Sequence, residues 1–125
     1  MRLKLLALAI ISSLIFFSCE KNDNTVDHPR IFIPTVFSPD NNKLNDIFRP
    51  VGEDLSKVKS FLMIITDENG YKLFTTSNLT TGWNGLQSNG EHYPVGFYFY
   101  DIWFQYNDKT EERVTGSVEL TVGGW

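Results

Sequence analysis

Two long segments of this 125-residue chain carry the hydrophobic pattern of β-strands. Between Arg113 and Val122, apolar or small residues alternate with polar ones, a period of two that is typical of a strand with one buried face. The alternation predicts that every second residue from Val114 to Val122 points inward. The run Gly96 to Tyr106 is rich in aromatic residues and predicts the longest strand.

Shorter apolar runs and turn residues extend this pattern over the remainder of the chain. Segments 61–66 and 72–76 flank Glu68–Gly70, in which asparagine and glycine favour a hairpin turn. Segment 31–37 is extended, and its proline at position 34 predicts a sheet edge because proline cannot donate to a ladder. Helical periodicity is confined to one possible turn at 55–58. The chain is therefore predicted to be all-β, an Ig-like antiparallel β-sandwich of about seven strands.

The first residues differ from this pattern. Arg2 and Lys4 precede an apolar run from Leu5 to Phe17, which is the layout of a secretory signal segment. The run is too short for a membrane span, which needs about 20 apolar residues. We therefore predict that residues 1–18 are a cleaved signal peptide.

The single cysteine, Cys19, stands where the apolar run ends and follows the small residue Ser18. This arrangement resembles the lipobox of bacterial lipoproteins, in which the cysteine is lipidated and the chain is cut before it. The resemblance implies a membrane anchor through lipid on Cys19, and a buried, inert cysteine is the alternative. Residues 19–30 are then a lipidated flexible tether, and residues 31–125 form the domain.

Charge narrows the classes of partner. After residues 1–18 are removed, nine basic and 15 acidic residues remain, so the net charge is −6. This balance argues against nucleic acid, which is held mainly by lysine and arginine. The early acidic residues Glu20 and Asp23 resemble the surface-export signal of Bacteroidetes lipoproteins. That likeness implies an outer-membrane protein exposed at the cell surface.

The domain resembles a known family through several motifs in one order. They are IPTVFSPDNNKLNDIFRP at 33–50, GWNG at 82–85, YPVGFYFY at 93–100 and GSVELTV at 116–122. Together they resemble the gliding-motility-associated C-terminal domain, the type B sorting domain of Bacteroidetes type IX secretion cargo. The resemblance implies a protein partner in the secretion or gliding machinery. Sorting domains end a large passenger, whereas here a lipid anchor precedes the domain, so we expect a resident lipoprotein.

Polar residues crowd the loop that follows the first predicted strand. Its side-chain oxygens offer a calcium site, because Ca²⁺ takes six to eight oxygen ligands. The candidate ligands are Asp40, Asn42, Asn45 and Asp46. The alternative, which the cation of Lys43 favours, is a turn in which these side chains accept hydrogen bonds from backbone amides.

Aromatic residues supply the remaining candidate sites. Trp83 lies in GWNG, either as a carbohydrate-stacking platform or as a core plug whose indole N–H finds a carbonyl. Alternation along 96–106 places Phe97, Phe99 and Trp103 on one face, opposite the face that forms the core. They form an interaction patch if that face is exposed. The alternative is that segment 31–37 covers them.

Catalytic constellations are missing from the sequence. His28 lies in the predicted tether and His92 in a turn, so no metal-ligand spacing is present. The adjacent Glu111 and Glu112 point to opposite faces of a strand and cannot share a proton. We therefore predict a non-catalytic module that docks with the type IX secretion or gliding machinery. The alternative is a surface adhesin or glycan-binding module that uses Trp83 and Trp103.

Overall fold

A computed structural model describes residues 28–122, so the predicted signal peptide, Cys19 and most of the tether lie outside the described residues. The strands are β1 (Ile31–Phe32), β2 (Val36–Phe37), β3 (Val51–Gly52), β4 (Val58–Thr66), β5 (Lys72–Thr76), β6 (Gly96–Tyr106) and β7 (Glu111–Leu120). A short 3-10 turn, Leu55–Lys57, precedes β4. In this part of the chain, no helix has the length and apolar character needed to cross a membrane.

The strands form two sheets. The larger sheet has the order β2-β7-β6-β4-β5, and β1 pairs with β3 in a separate two-stranded sheet. The β2–β7 pair is parallel, and the other pairs are antiparallel. This nearly all-β arrangement confirms the predicted β-sandwich of about seven strands.

The predicted strand bounds are close to the observed ones where the pattern is strong. Strands β5 and β6 have the predicted bounds, and β4 begins at Val58 rather than Phe61. Strand β7 spans Glu111–Leu120, so the prediction that Val122 points inward is wrong. Val122 follows the end of the strand, and 63% of it is exposed.

Segment 31–37 is divided between the two sheets. Residues 31 and 32 form β1 in the small sheet, and residues 36 and 37 form β2 in the large one. Pro34 lies between them, where it donates to neither ladder. Strand β2 is an edge strand of the large sheet, which confirms the predicted edge position.

The core lies on the inner face of the large sheet. Alternate residues of its three central strands are buried there, namely Phe61, Met63, Ile65, Tyr98, Ile102, Phe104, Tyr106, Val118 and Leu120. Three further aromatic side chains complete the core, namely Phe37 from β2 and Phe48 and Trp83 from connecting segments. Apolar area removed from water contributes about 25 cal/mol per Å², so these large rings supply much of the stabilisation.

The GWNG segment forms a backbone bridge with the segment that precedes β3. Phe48 and Trp83 exchange two backbone hydrogen bonds, with N–O distances of 2.8 and 2.9 Å. A Cβ at Gly82 would lie 2.7 Å from the Phe48 carbonyl oxygen, so the close approach requires glycine. Gly85 has a φ of 71°, a left-handed conformation that glycine adopts without steric cost.

Candidate functional site

The outer face of the large sheet is the candidate site. Phe97, Phe99 and Trp103 project from β6 on the side opposite the core, as the alternation predicts. Phe97 is 64% exposed and Phe99 is 42% exposed, whereas Trp103 is partly buried. Phe37, from the segment expected to cover this face, packs inward instead, with its ring centroid 5.3 Å from that of Trp83.

Outward residues of the neighbouring strands β4 and β7 lie beside those of β6 on this face. The register places Phe99 between Thr66 and Ser117, and Trp103 between Leu62 and Arg113. The outward Leu62 is 39% exposed. The outer face therefore carries apolar residues on β4 and β6 and polar residues on β7.

An ion pair holds the middle of the outer face. Arg113 donates from Nε and from one terminal nitrogen to the two carboxylate oxygens of Asp101, at 2.8 and 2.6 Å. These hydrogen bonds lower the pKa of Asp101. A two-pronged arginine–carboxylate contact has a defined geometry, so it fixes β7 against β6 beside Trp103.

Trp83 lies inside the molecule. It is 1% exposed, and its ring packs edge-on against Tyr98 with the centroids 5.0 Å apart. A ring at this depth cannot stack on a sugar. Trp83 therefore has the position of a core plug. The expectation that its N–H finds a carbonyl is wrong, because Nε1 is buried without a hydrogen-bond partner in the described structure.

The loop proposed for calcium is closed by its own hydrogen bonds. The amides of Asn41 and Lys43 each donate to one carboxylate oxygen of Asp46, both at 2.7 Å. Asp40 accepts the amide of Asn42 at 3.0 Å. These contacts match the backbone-capping alternative, because the carboxylates already have donors.

The two asparagines among the candidate ligands also take part in hydrogen bonds of the loop. Asn42 Oδ1 accepts the amide of Leu44, and the carbonyl of Asn45 accepts the amide of Ser38. Among residues 28–122, no cluster of three or more His, Cys, Asp or Glu side chains could hold a metal ion. Asn41, Lys43 and Asn45 have positive φ angles, which orient successive amides toward the Asp46 carboxylate.

His28 packs on the domain, although the sequence places it in the tether. Its ring stacks on Tyr106 with centroids 4.1 Å apart. Its Nε2 lies 2.6 Å from Thr110 Oγ1 and 3.3 Å from an Asp108 carboxylate oxygen. The Thr110 hydroxyl donates to Asp108, so Nε2 is the donor toward Thr110. His28 therefore packs on the domain from a position three residues before the predicted boundary at residue 31.

The groups around His28 form a connected network. Hydrogen bonds from Thr110 lower the pKa of Asp108. Burial raises the pKa of Tyr106, and its hydroxyl also donates to Glu112 at 2.5 Å. The network lies at the β6–β7 turn, which is the opposite end of β6 from Phe97. Sequence reasoning missed it because the contact joins residues 82 positions apart.

The class of molecule is thus an all-β sandwich domain that exposes an aromatic strand face. A family model described as the CHU_C type IX secretion signal domain matches residues 31–120. The chain belongs to this family, which confirms the resemblance to type IX sorting domains. No curated protein matches the chain.

One solved structure with a similar chain is PorZ. It is described as an essential bacterial surface component of the type IX secretion system of Porphyromonas gingivalis. The two chains are 16% identical with a TM-score of 0.40. The match covers 82% of this chain and 12% of the PorZ chain.

Proposed function

We propose that this chain is a non-catalytic outer-membrane lipoprotein whose domain docks with the type IX secretion machinery through the outer face of its sheet. Family membership relates the domain to type IX secretion. The observation that carries the docking proposal is the exposure of Phe97 and Phe99 on a central strand. Exposed contiguous apolar patches mark interaction sites.

The strand face has the properties of a protein-binding surface. Aromatic side chains on a β-sheet lose little conformational freedom on binding and bury a large area, so they serve as anchors of interfaces. Asp101 and Arg113 beside these aromatic residues already neutralise each other's charge. Their pairing reduces the desolvation free energy that a partner must offset when it covers this face.

The His28 contact orients the face relative to the proposed anchor. A strand rises about 3.3 Å per residue, so Phe97 lies roughly 30 Å along β6 from Tyr106, on which His28 stacks. The chain from Cys19 therefore enters the domain at the end opposite Phe97. In a lipid-anchored molecule, this arrangement favours presentation of the Phe97 end away from the membrane.

Replacement of both exposed phenylalanines tests the docking face. The variant carrying Phe97→Ser and Phe99→Ser should keep its thermal unfolding transition, because both side chains remain exposed to water in the folded domain. It should lose co-purification with the type IX outer-membrane complex from cells that produce that machinery. Leu44→Ser is the matched control, because Leu44 is 70% exposed in a loop outside this face. A folded double variant that still co-purifies would contradict docking through this face.

Cys19→Ser tests the anchor separately. The unaltered chain should incorporate radiolabelled fatty acid and sediment with the outer membrane. The variant should do neither, because two acyl chains supply stable attachment at about 0.8 kcal/mol per buried methylene. Fatty-acid labelling that persists in the variant would contradict lipidation at this residue.

A further inference from the structure

The Phe97 end of the outer face continues into a groove. The groove has a volume of about 340 Å³. One wall is the turn that follows β4, with Asp67 and Glu68. The other wall is formed by Val95, just before β6, and by Phe97 at the start of that strand. Val95 is 60% exposed, so apolar surface extends from the outer face into the groove.

Carboxylates flank this apolar surface on both sides. Asp67 and Glu68 line the groove on the β4 side of Phe97. Glu119 lies directly opposite Phe97 on β7, so its exposed side chain projects from the same face. Lys72 of β5 is a cation on this side of the sheet, and it lies opposite Thr66 of β4 in the ladder. The Phe97 end is therefore an apolar surface with an acidic border.

Both walls of the groove are ordered by hydrogen bonds. Asp67 Oδ1 accepts the amides of Asn69 and Tyr71, both at 2.9 Å, which holds the turn and leaves Glu68 exposed at its tip. On the other wall, the Tyr98 hydroxyl donates to the carbonyl of Pro94 at 2.5 Å. A partner therefore meets a preformed surface and does not have to order these segments.

This chemistry suits lysine or arginine side chains. Their aliphatic stems can lie along Val95 and Phe97 while the charged group reaches a carboxylate. The Phe97 ring adds a favourable face for a cation. An anionic lipid surface has the wrong sign for this border. The entry of the chain near Tyr106, at the far end of β6, likewise directs the groove away from an anchoring membrane.

We propose that the Phe97 end binds a basic polypeptide segment in which lysine or arginine alternates with apolar residues. This inference rests on the proposed docking function and specifies the chemistry of the docking partner. The segment lies across Phe97, and its cations face Glu68 and Glu119. Binding is weakened by salt, because the screening length between exposed charges is about 10 Å at 0.1 M ionic strength and shortens as salt is added.

Site-specific photo-cross-linking of the full chain in intact cells tests the proposal. A benzophenone amino acid replaces Phe97, and the cross-linked peptide of the partner is sequenced. We expect an adduct with a polypeptide segment in which lysine and arginine outnumber aspartate and glutamate. The adduct yield should fall about three- to tenfold when Glu68→Lys is added, because this change reverses one border charge.

Glu53→Lys is the matched control for charge reversal. Glu53 is exposed beyond β3, and the segment that follows it contacts Asn107 at the opposite end of the domain. This variant should leave the adduct yield unchanged. Four outcomes overturn the proposal: an adduct with lipid, an adduct with a second copy of the chain, an adduct with an acidic segment, or no adduct. A yield that is insensitive to Glu68→Lys overturns it as well.

A second cross-linking position separates this inference from the proposed function. If position 103 captures a type IX component while position 97 captures nothing, docking stands and the basic-segment proposal fails. If position 97 captures a basic segment of a protein unrelated to secretion, the binding chemistry stands and the proposed function fails.

Discussion

Trp83 and Trp103 are the same residue type in opposite environments. Trp83 is 1% exposed and touches Phe37, Tyr93 and Tyr98, whereas Trp103 is partly exposed on the outer face. Both are candidate binding residues in the sequence, and residue type alone does not show which of them is buried. The difference arises from which side of the sheet each ring reaches.

Alanine substitution should separate the two tryptophans. Trp83→Ala should lower the free energy of unfolding by about 3–5 kcal/mol, because it leaves a large cavity in the core. Trp103→Ala should cost about 1–2 kcal/mol, because its ring is already partly in water. Urea denaturation of each variant measures this difference. Equal losses would contradict the assignment of Trp103 to a binding surface.

The Asp101–Arg113 pair should give a pH-dependent contribution to stability. The pKa of Asp101 is lowered from 3.8 by its hydrogen bonds to Arg113, so its contribution is present above pH 3.8 and is lost as the pH falls through the lowered value. Asp101→Asn should therefore lower the melting temperature slightly at pH 6. The difference from the unaltered protein should disappear in more acidic solution. A difference that does not shrink at any acidic pH at which the domain is still folded would contradict this linkage.

The loop at 40–46 should be indifferent to calcium. Its carboxylates accept backbone amides in the described structure, so a metal ion would have to displace hydrogen bonds that already satisfy them. Millimolar Ca²⁺ should leave the melting temperature unchanged, and a chelator should also have no effect. Asp46→Ala should destabilise the domain with or without calcium. A rise in melting temperature with Ca²⁺ that Asp46→Ala removes would restore the metal hypothesis.

At the scale of elements, the strands with dense apolar patterns were predicted best. Strand β6 has the predicted bounds because its aromatic run begins at Gly96 and ends at the turn after Tyr106. The segment around Pro34 was predicted as one strand and forms two, because its residues pair with different partners. Pairing across the molecule leaves no local signal in such short strands.

The Phe48–Trp83 bridge should depend on Gly82. Gly82→Ala should lower the free energy of unfolding by about 1–3 kcal/mol, because its Cβ would approach a backbone carbonyl that has no rotamer to change. Ser88→Ala is the control, since Ser88 is exposed in the neighbouring turn. Thermal unfolding followed by circular dichroism compares the two. An unchanged transition in the Gly82 variant would contradict the steric need for glycine at this position.

At the scale of the whole molecule, the position of His28 predicts how a lipid-anchored chain is oriented. A fluorophore attached through Lys109→Cys should be quenched more strongly by paramagnetic lipid headgroups than one attached through Val95→Cys. The reason is that the chain enters the domain beside Tyr106 and Asp108. His28→Ala should reduce the difference between the two positions. Stronger quenching at position 95 would indicate that the Phe97 end contacts the membrane.

The family, the β architecture and the alternation along β6 were all determined by the sequence. These features depend on local order, since strand faces alternate with a period of two wherever the strand lies. The exposure of Phe97 and Phe99, the burial of Trp83 and the packing of His28 on Tyr106 were decided by the tertiary structure. Each depends on which distant segment covers a given surface, and a period along the chain carries no information about that partner.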